Sequence, residues 1–189
     1  CIRDSPVSCI HSSHEGIELA NQHLPLDVDV VFRLIFSDCK FFRSFFDKRK
    51  SSDLIIKDWC DLDPCKQELK DYNKMRKLTF NLKLNHSFAD VVKTQEYQYL
   101  SAHSSKESLY MVRSEVTNSG IPFSSNFLIV TQYCLTRGRN KKESCLVIYQ
   151  QIIFKKYMYG MKSMIENASL HKGREYANDL ISCLLEWAQ

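Results

Sequence analysis

MRKLTFNLKLN, residues 75–85, alternates apolar and polar side chains along most of its length. Leu78, Phe80, Leu82 and Leu84 fall on one face, and Lys77, Thr79, Asn81 and Lys83 on the other. A period of two with one greasy face is the mark of a half-buried strand in an antiparallel sheet. Outward from this stretch, further strands are expected over 17–26 (ended by Pro25), 54–59, 91–101, 108–117, 127–137 and 144–156. Gly138-Arg139-Asn140 begins the last turn, and the charged residues 60–73, with Pro64, read as a loop.

The period changes twice. In DVDVVFRLIF, residues 27–36, Val28, Val31, Leu34 and Ile35 share a helical face and Asp27 is placed to cap it. In CKFFRSFFDKRK, residues 39–50, Phe41, Phe42, Phe45 and Phe46 repeat at helical spacing and read as core. The C-terminal stretches 159–167 and 173–187 are helical again, with Gly173 expected to kink or interrupt them. Strands segregated from helices give an α+β architecture: a curved antiparallel sheet of six to seven strands, two short helices after the first strand, and a long C-terminal helix.

The 189 residues are 44% hydrophobic and 25% charged, an ordinary globular composition, with residues 1–14 expected as a loose arm and 15–189 as one domain. A net charge of +4 suits an anionic membrane surface but is too small to argue for nucleic acid. The chain lacks GxGxxG, GxxxxGK, GxSxG and HExxH, and no CxxC pair occurs, so neither cofactor, metal nor catalytic centre is expected. Of the eight cysteines, Cys39, Cys134, Cys145 and Cys183 sit in apolar-periodic segments and read as reduced core thiols.

Alternation nominates an inner surface. It comprises Phe80 and Leu82; Tyr110, Val112 and Ser114 with Val116; Ile129, Thr131 and Tyr133; and Ile148, Gln150 and Ile152. Met161, Met164 and Ile165 face it from the last helix. Most of this surface is apolar, as a lipid pocket requires. Ser114, Thr131 and Gln150 interrupt it; they either bond to neighbours and water or hold a lipid hydroxyl, with Gln150 the foremost candidate.

DVDVVFRLIFSDCKFFRSFF with DLIIKDW, then YMVRSEVTNSGIPFSSNFLIVTQYCLTR (110–137) and KKYMYGMKSMIE (155–166), resemble the VASt family, the START-like domain of Aster and Lam sterol-transfer proteins. Order and spacing agree from about residue 15 to 187. The resemblance implies a helix-grip fold and a sterol ligand carried between membranes. It further implies a cytosolic domain of an endoplasmic-reticulum-anchored protein, with other contact-site proteins as partners. It places a lid loop at NHSFADVV, residues 85–92, with Asn85, His86, Ser87 and Phe88 at its start. This loop lacks the family's Pro and Gly, and Met158-Tyr159 stands where the family usually has Pro-Trp. Lys48, Arg49, Lys50, Lys155 and Lys156 are candidates for anionic headgroups. The competing readings are an interaction module that has lost transport, and an enzyme built on Tyr110 or Tyr133.

Overall fold

The alternating residues belong to a strand of 15, Tyr72–His86, longer than its apolar pattern alone marks out. The computed structural model describes residues 15–63, 69–86 and 89–189. In chain order, β1 (Ile17–Leu24) precedes α1 (Val28–Phe36) and α2 (Lys40–Lys48). Next come β2 (Ser51–Ile56), β3 (Cys60–Asp61), β4 (Tyr72–His86) and β5 (Ala89–Ser101). β6 (Leu109–Ser119), β7 (Phe127–Arg137), β8 (Ser144–Phe154) and α3 (Lys162–Trp187) follow. The strands make one antiparallel sheet in the order β1-β8-β7-β6-β5-β4-β2, with β3 also paired to β4.

The helices lie where their caps and apolar stripes place them. Asp27 Oδ1 accepts the backbone N–H of Asp29 at 2.8 Å and of Val30 at 3.3 Å, satisfying two orphan donors at the start of α1. Val28, Val31, Leu34, Ile35 and Phe36 of α1 are buried, as are Phe42, Phe45 and Phe46 of α2. These pack with Leu24, Leu135, Leu146 and Ile148 of the sheet, and with Ala177, Leu180 and Leu184 of α3, in one main core.

Three expectations change. The segment 60–73 is not wholly a loop: Cys60 and Asp61 pair with Met75 and Lys74, and β4 begins at Tyr72. Lys74 Nζ meets Asp61 at 2.9 Å, so charged residues on this sheet edge pair outward while their backbones join the ladder. Trp59 leaves the strand, and its indole Nε1 donates to the Phe36 carbonyl at 2.9 Å.

α3 is one continuous helix through Gly173. A Cβ there would stand 2.2 Å from Gln150 Oε1 and 3.0 Å from Leu19 Cδ1, so the missing side chain serves close contact between helix and sheet rather than a break. Gly173→Ala is therefore expected to destabilise the domain by about 1–2 kcal/mol. At an uncrowded helical position the same change would gain about 1 kcal/mol. Urea denaturation of the variant checks the sign, and Gln150→Ser in the same chain should relieve most of the loss.

The strands also run further into the expected lid than the resemblance implied. Asn85 and His86 end β4, residues 89–92 begin β5, and His86 pairs with Ala89. β-branched Val91 and Val92 favour this extension by pairing with Lys83 and Leu82. Ser87 and Phe88 lie outside the described residues. Cys39, Cys60, Cys134, Cys145 and Cys183 are not joined in disulfides, whereas Cys1, Cys9 and Cys65 lie outside the described residues.

Candidate lipid-binding site

The register turns the helix-covered face of the sheet into a grid. One line of direct cross-strand partners runs Arg76, Gln98, Ser114, Thr131, Gln150 over β4, β5, β6, β7 and β8. All five are polar, and none is more than 8% exposed. Buried polar groups must find partners. Arg76 Nε donates to Gln98 Oε1 at 2.7 Å, and Gln98 Nε2 donates to Glu96 Oε1 at 2.6 Å. Ser114 Oγ donates to the same Glu96 oxygen at 2.6 Å. Gln150 Nε2 donates to the Ser169 carbonyl of α3 at 3.1 Å. The Arg76 guanidinium lies 5.0 Å from the ring centre of Trp59 and 5.6 Å from that of Phe42. Burial pulls its pKa down to about 10, against the opposing charge of Glu96, so it remains a cation at neutral pH.

This polar line divides two unlike surfaces. Toward α1 and α2, Val112, Tyr133, Leu135, Leu146 and Ile148 are buried in the packed core. Toward the β4–β5 hairpin, Leu82, Val116, Ile129 and Ile152 are only partly buried, although they alternate in phase with the first group, while Leu78, Phe80, Val92 and Phe127 on the same side are buried. α3 repeats the division. Its buried residues are Ala177, Leu180 and Leu184, all beyond Gly173. Its first half runs beside the end of β8, with Lys162 Nζ 5.5 Å over the Phe154 ring and Ser169 against Gln150, and buries none of its side chains fully. The partly buried sheet side chains, together with Met161, Met164 and Ile165 at the start of α3 and the polar Ser114, Thr131 and Glu96, make up the candidate cleft. Met164 is 56% exposed.

The nominated residues therefore separate. Leu82, Ile129, Ile152, Ser114, Thr131 and the three residues at the start of α3 remain candidates for the cleft. Gln150 stands at its boundary with its amide engaged to α3. Val112 and Ile148 sit in the core, and Phe80 packs edge-on against Phe46 with ring centres 4.9 Å apart. Tyr110 stacks on Phe32 at 4.0 Å and donates its hydroxyl to Asp29 Oδ1 at 2.8 Å, docking α1. Tyr133 meets Phe36 edge-on. Burial pushes both phenols up, so neither is poised for acid–base work near neutral pH. Arg76, Glu96 and Gln98 were not nominated. The signal for them is the pairing of Leu82 with Val92, which sets Thr94, Glu96 and Gln98 inward on β5.

A groove of about 450 Å³ crosses the sheet near its β2 edge and includes Asp53, Thr79, Asn81, Lys93, Gln95 and Thr117 in its lining. Its lining mixes these polar groups with Ile55 and Phe80, and Asn81 Nδ2 donates to Asp53 at 2.5 Å. Among the described residues, no helix is long and apolar enough to cross a membrane.

The chain is 26% identical over 166 residues to Protein Aster-B of Mus musculus, covering 86% of the chain and 21% of that protein. It is 26% identical over 170 residues to Protein Aster-A of Rattus norvegicus, covering 87% of the chain and 22% of that protein. It thus spans about a fifth of the length of these relatives. Among solved structures, the human StarD13 (DLC2) lipid transfer and protein localization domain aligns with 89% of the chain and 75% of its own, at TM-score 0.44 and 11% identity. TTHA0849 from Thermus thermophilus aligns with 89% and 94% at TM-score 0.48 and 10% identity. Residues 18–172 match the VAD1 Analog of StAR-related lipid transfer domain, and the chain belongs to this VASt family.

Proposed function

We propose that the domain binds a sterol in this cleft and carries it between membranes without vesicles. In this reading the ring system lies against Val116, Ile129, Ile152, Met161 and Ile165. Its hydroxyl is held at the polar end by Ser114, Thr131 or Glu96. The observation that carries the proposal is the partial exposure of Leu82, Val116, Ile129 and Ile152, apolar side chains in phase with the core, together with a first half of α3 that buries no side chain fully. Enclosing a few hundred Å² of sterol surface is worth on the order of 10 kcal/mol by area, much of it offset by ordering.

The proposal includes an anionic membrane as the surface of exchange. It places the domain on the cytosolic side of the endoplasmic reticulum at contact sites with other membranes, together with partner proteins there. The family and the Aster relatives support this setting. Catalysis has no support from the phenols of Tyr110 and Tyr133, whose raised pKa values keep them protonated.

A fluorescent sterol titrated into reduced protein should quench tryptophan emission saturably at one equivalent, and the protein should speed transfer of that sterol between liposomes. Absence of binding would remove the carrier reading. One observation favours a second reading, an interaction module without transport: the strands extend to His86 and from Ala89, shortening the segment available as a lid. That reading expects liposome binding without sterol uptake.

A further inference from the structure

The turn between β8 and α3 exposes two tyrosines almost completely, Tyr157 at 88% and Tyr159 at 86%, with ring centres 6.3 Å apart. Lys155, Lys156 and Lys162 flank them, and these lysines line an open pocket of about 350 Å³ with Phe154, Tyr157 and Met158. Glu166, 3.8 Å from Lys162 Nζ, is the only carboxylate paired with this group among the described residues, so positive charge dominates. Other expected headgroup contacts are committed elsewhere: Lys48 pairs with Glu186 and Arg49 with Asp179 of α3.

A third exposed aromatic stands at the same end of the sheet. Phe123, 49% exposed, occupies the left-handed backbone region at φ 64 in the turn between β6 and β7. This turn is tied to the lysine turn, since Lys155 N donates to the Asn126 carbonyl at 2.7 Å and Asn126 Nδ2 contacts Met158 Sδ at 3.3 Å. A bulky residue rarely adopts that backbone conformation, and such strain collects at functional positions. Aromatic rings with lysines beside them match the interfacial layer of a bilayer, where rings sit at headgroup depth and ammonium groups meet phosphates. Met164, 56% exposed, lies two residues beyond Lys162 in α3.

We propose that this end of the sheet is a membrane-docking surface. Lys155, Lys156 and Lys162 cradle the phosphate of an anionic phospholipid, while Tyr157, Tyr159 and Phe123 enter the interface. The proposal deepens the carrier reading and rests on it for the lipid that passes through the cleft. An acidic protein surface would satisfy the charges but would leave three exposed rings without a role.

Co-sedimentation with phosphatidylcholine vesicles, with and without phosphatidylserine and at low and high salt, tests it. Each lysine near an anionic surface is worth roughly fivefold in binding. K155A/K156A/K162A should therefore weaken binding to serine-containing vesicles roughly a hundredfold at low salt. It should leave sterol binding in solution within about twofold of the parent. Y157S/Y159S should weaken binding to both vesicle types. If the lysine variant also loses sterol binding, K155R/K156R/K162R decides: retained vesicle binding supports the charge role, and loss overturns it. Lysine-dependent vesicle binding by a protein that takes up no sterol would keep the docking surface and remove the carrier. Sterol binding without vesicle binding, or vesicle binding unchanged in the lysine variant, would overturn the docking surface and point to an acidic protein.

Discussion

Ile129→Trp is expected to leave the domain folded and to abolish sterol binding, whereas Ile148→Trp is expected to destabilise it strongly. The two isoleucines lie on neighbouring strands and face the same side of the sheet. Ile148 is fully buried between its cross-strand partners Tyr133 and Ala20, where overpacking costs about 1–3 kcal/mol and occasionally more. An indole adds far more than one methylene there, so a loss of about 3 kcal/mol or more is the expectation against a typical total of about 5–15 kcal/mol. Ile129 pairs with Val116 and Ile152 on the other side of the polar line, and all three are only partly buried. If the ligand lies against this part of the sheet as proposed, the indole at 129 takes its place. Urea midpoints and fluorescent-sterol titrations on both variants provide the measurement. Sterol binding by Ile129→Trp at the parental level would mean that the ligand does not use this half of the sheet.

The contrast between these residues was only half legible in the sequence. Their phase was readable: β4, β6, β7 and β8 alternate because one face is buried, and the observed register keeps every nominated inward residue on the same side. The Asp27 cap and the Phe42, Phe45 and Phe46 stripe were readable for the same reason, since each reports a single local geometry. Which inward residues are covered depends on where α3 crosses the sheet. That depends in turn on a contact between Gly173 and Gln150, which are far apart in sequence. A glycine in a helical pattern signals either a break or a close approach, and periodicity does not distinguish them.

β5 shows the other limit. VVKTQEYQYL places Val91, Tyr97 and Tyr99 on one face and Thr94, Glu96 and Gln98 on the other. Hydrophobicity alone would turn the tyrosines inward. Pairing of Leu82 with Val92 does the reverse, and a strand pairing fixes every side chain that follows it. The buried polar line was therefore hidden on the two strands β4 and β5. It became partly visible only as Ser114, Thr131 and Gln150 on strands whose other inward residues are greasy.

Arg76 tests that line as a structural element. Arg76→Ala is expected to destabilise the domain by about 3–5 kcal/mol, close to the cost of breaking a buried charged network. The side chain is 2% exposed, its stem fills space between Trp59 and Phe42, and its guanidinium faces both rings. Truncation would leave a gap there, remove the donor to Gln98 and leave Glu96 buried without its nearby cation. Arg76→Met separates the contributions. It keeps the stem and also removes Nη2, a buried donor with no hydrogen-bond partner among the described residues. Buried charges are often replaced by apolar groups of like volume at little net cost, so Arg76→Met should lose less than about 2 kcal/mol. Adding Glu96→Gln should hurt the parent more than it hurts Arg76→Ala, because the carboxylate no longer has a cation to lose. Denaturant midpoints of the four proteins in that double-mutant cycle give the coupling. Additivity within about 0.5 kcal/mol would mean that Arg76 and Glu96 act as separate core residues rather than as one charged device ending the cleft.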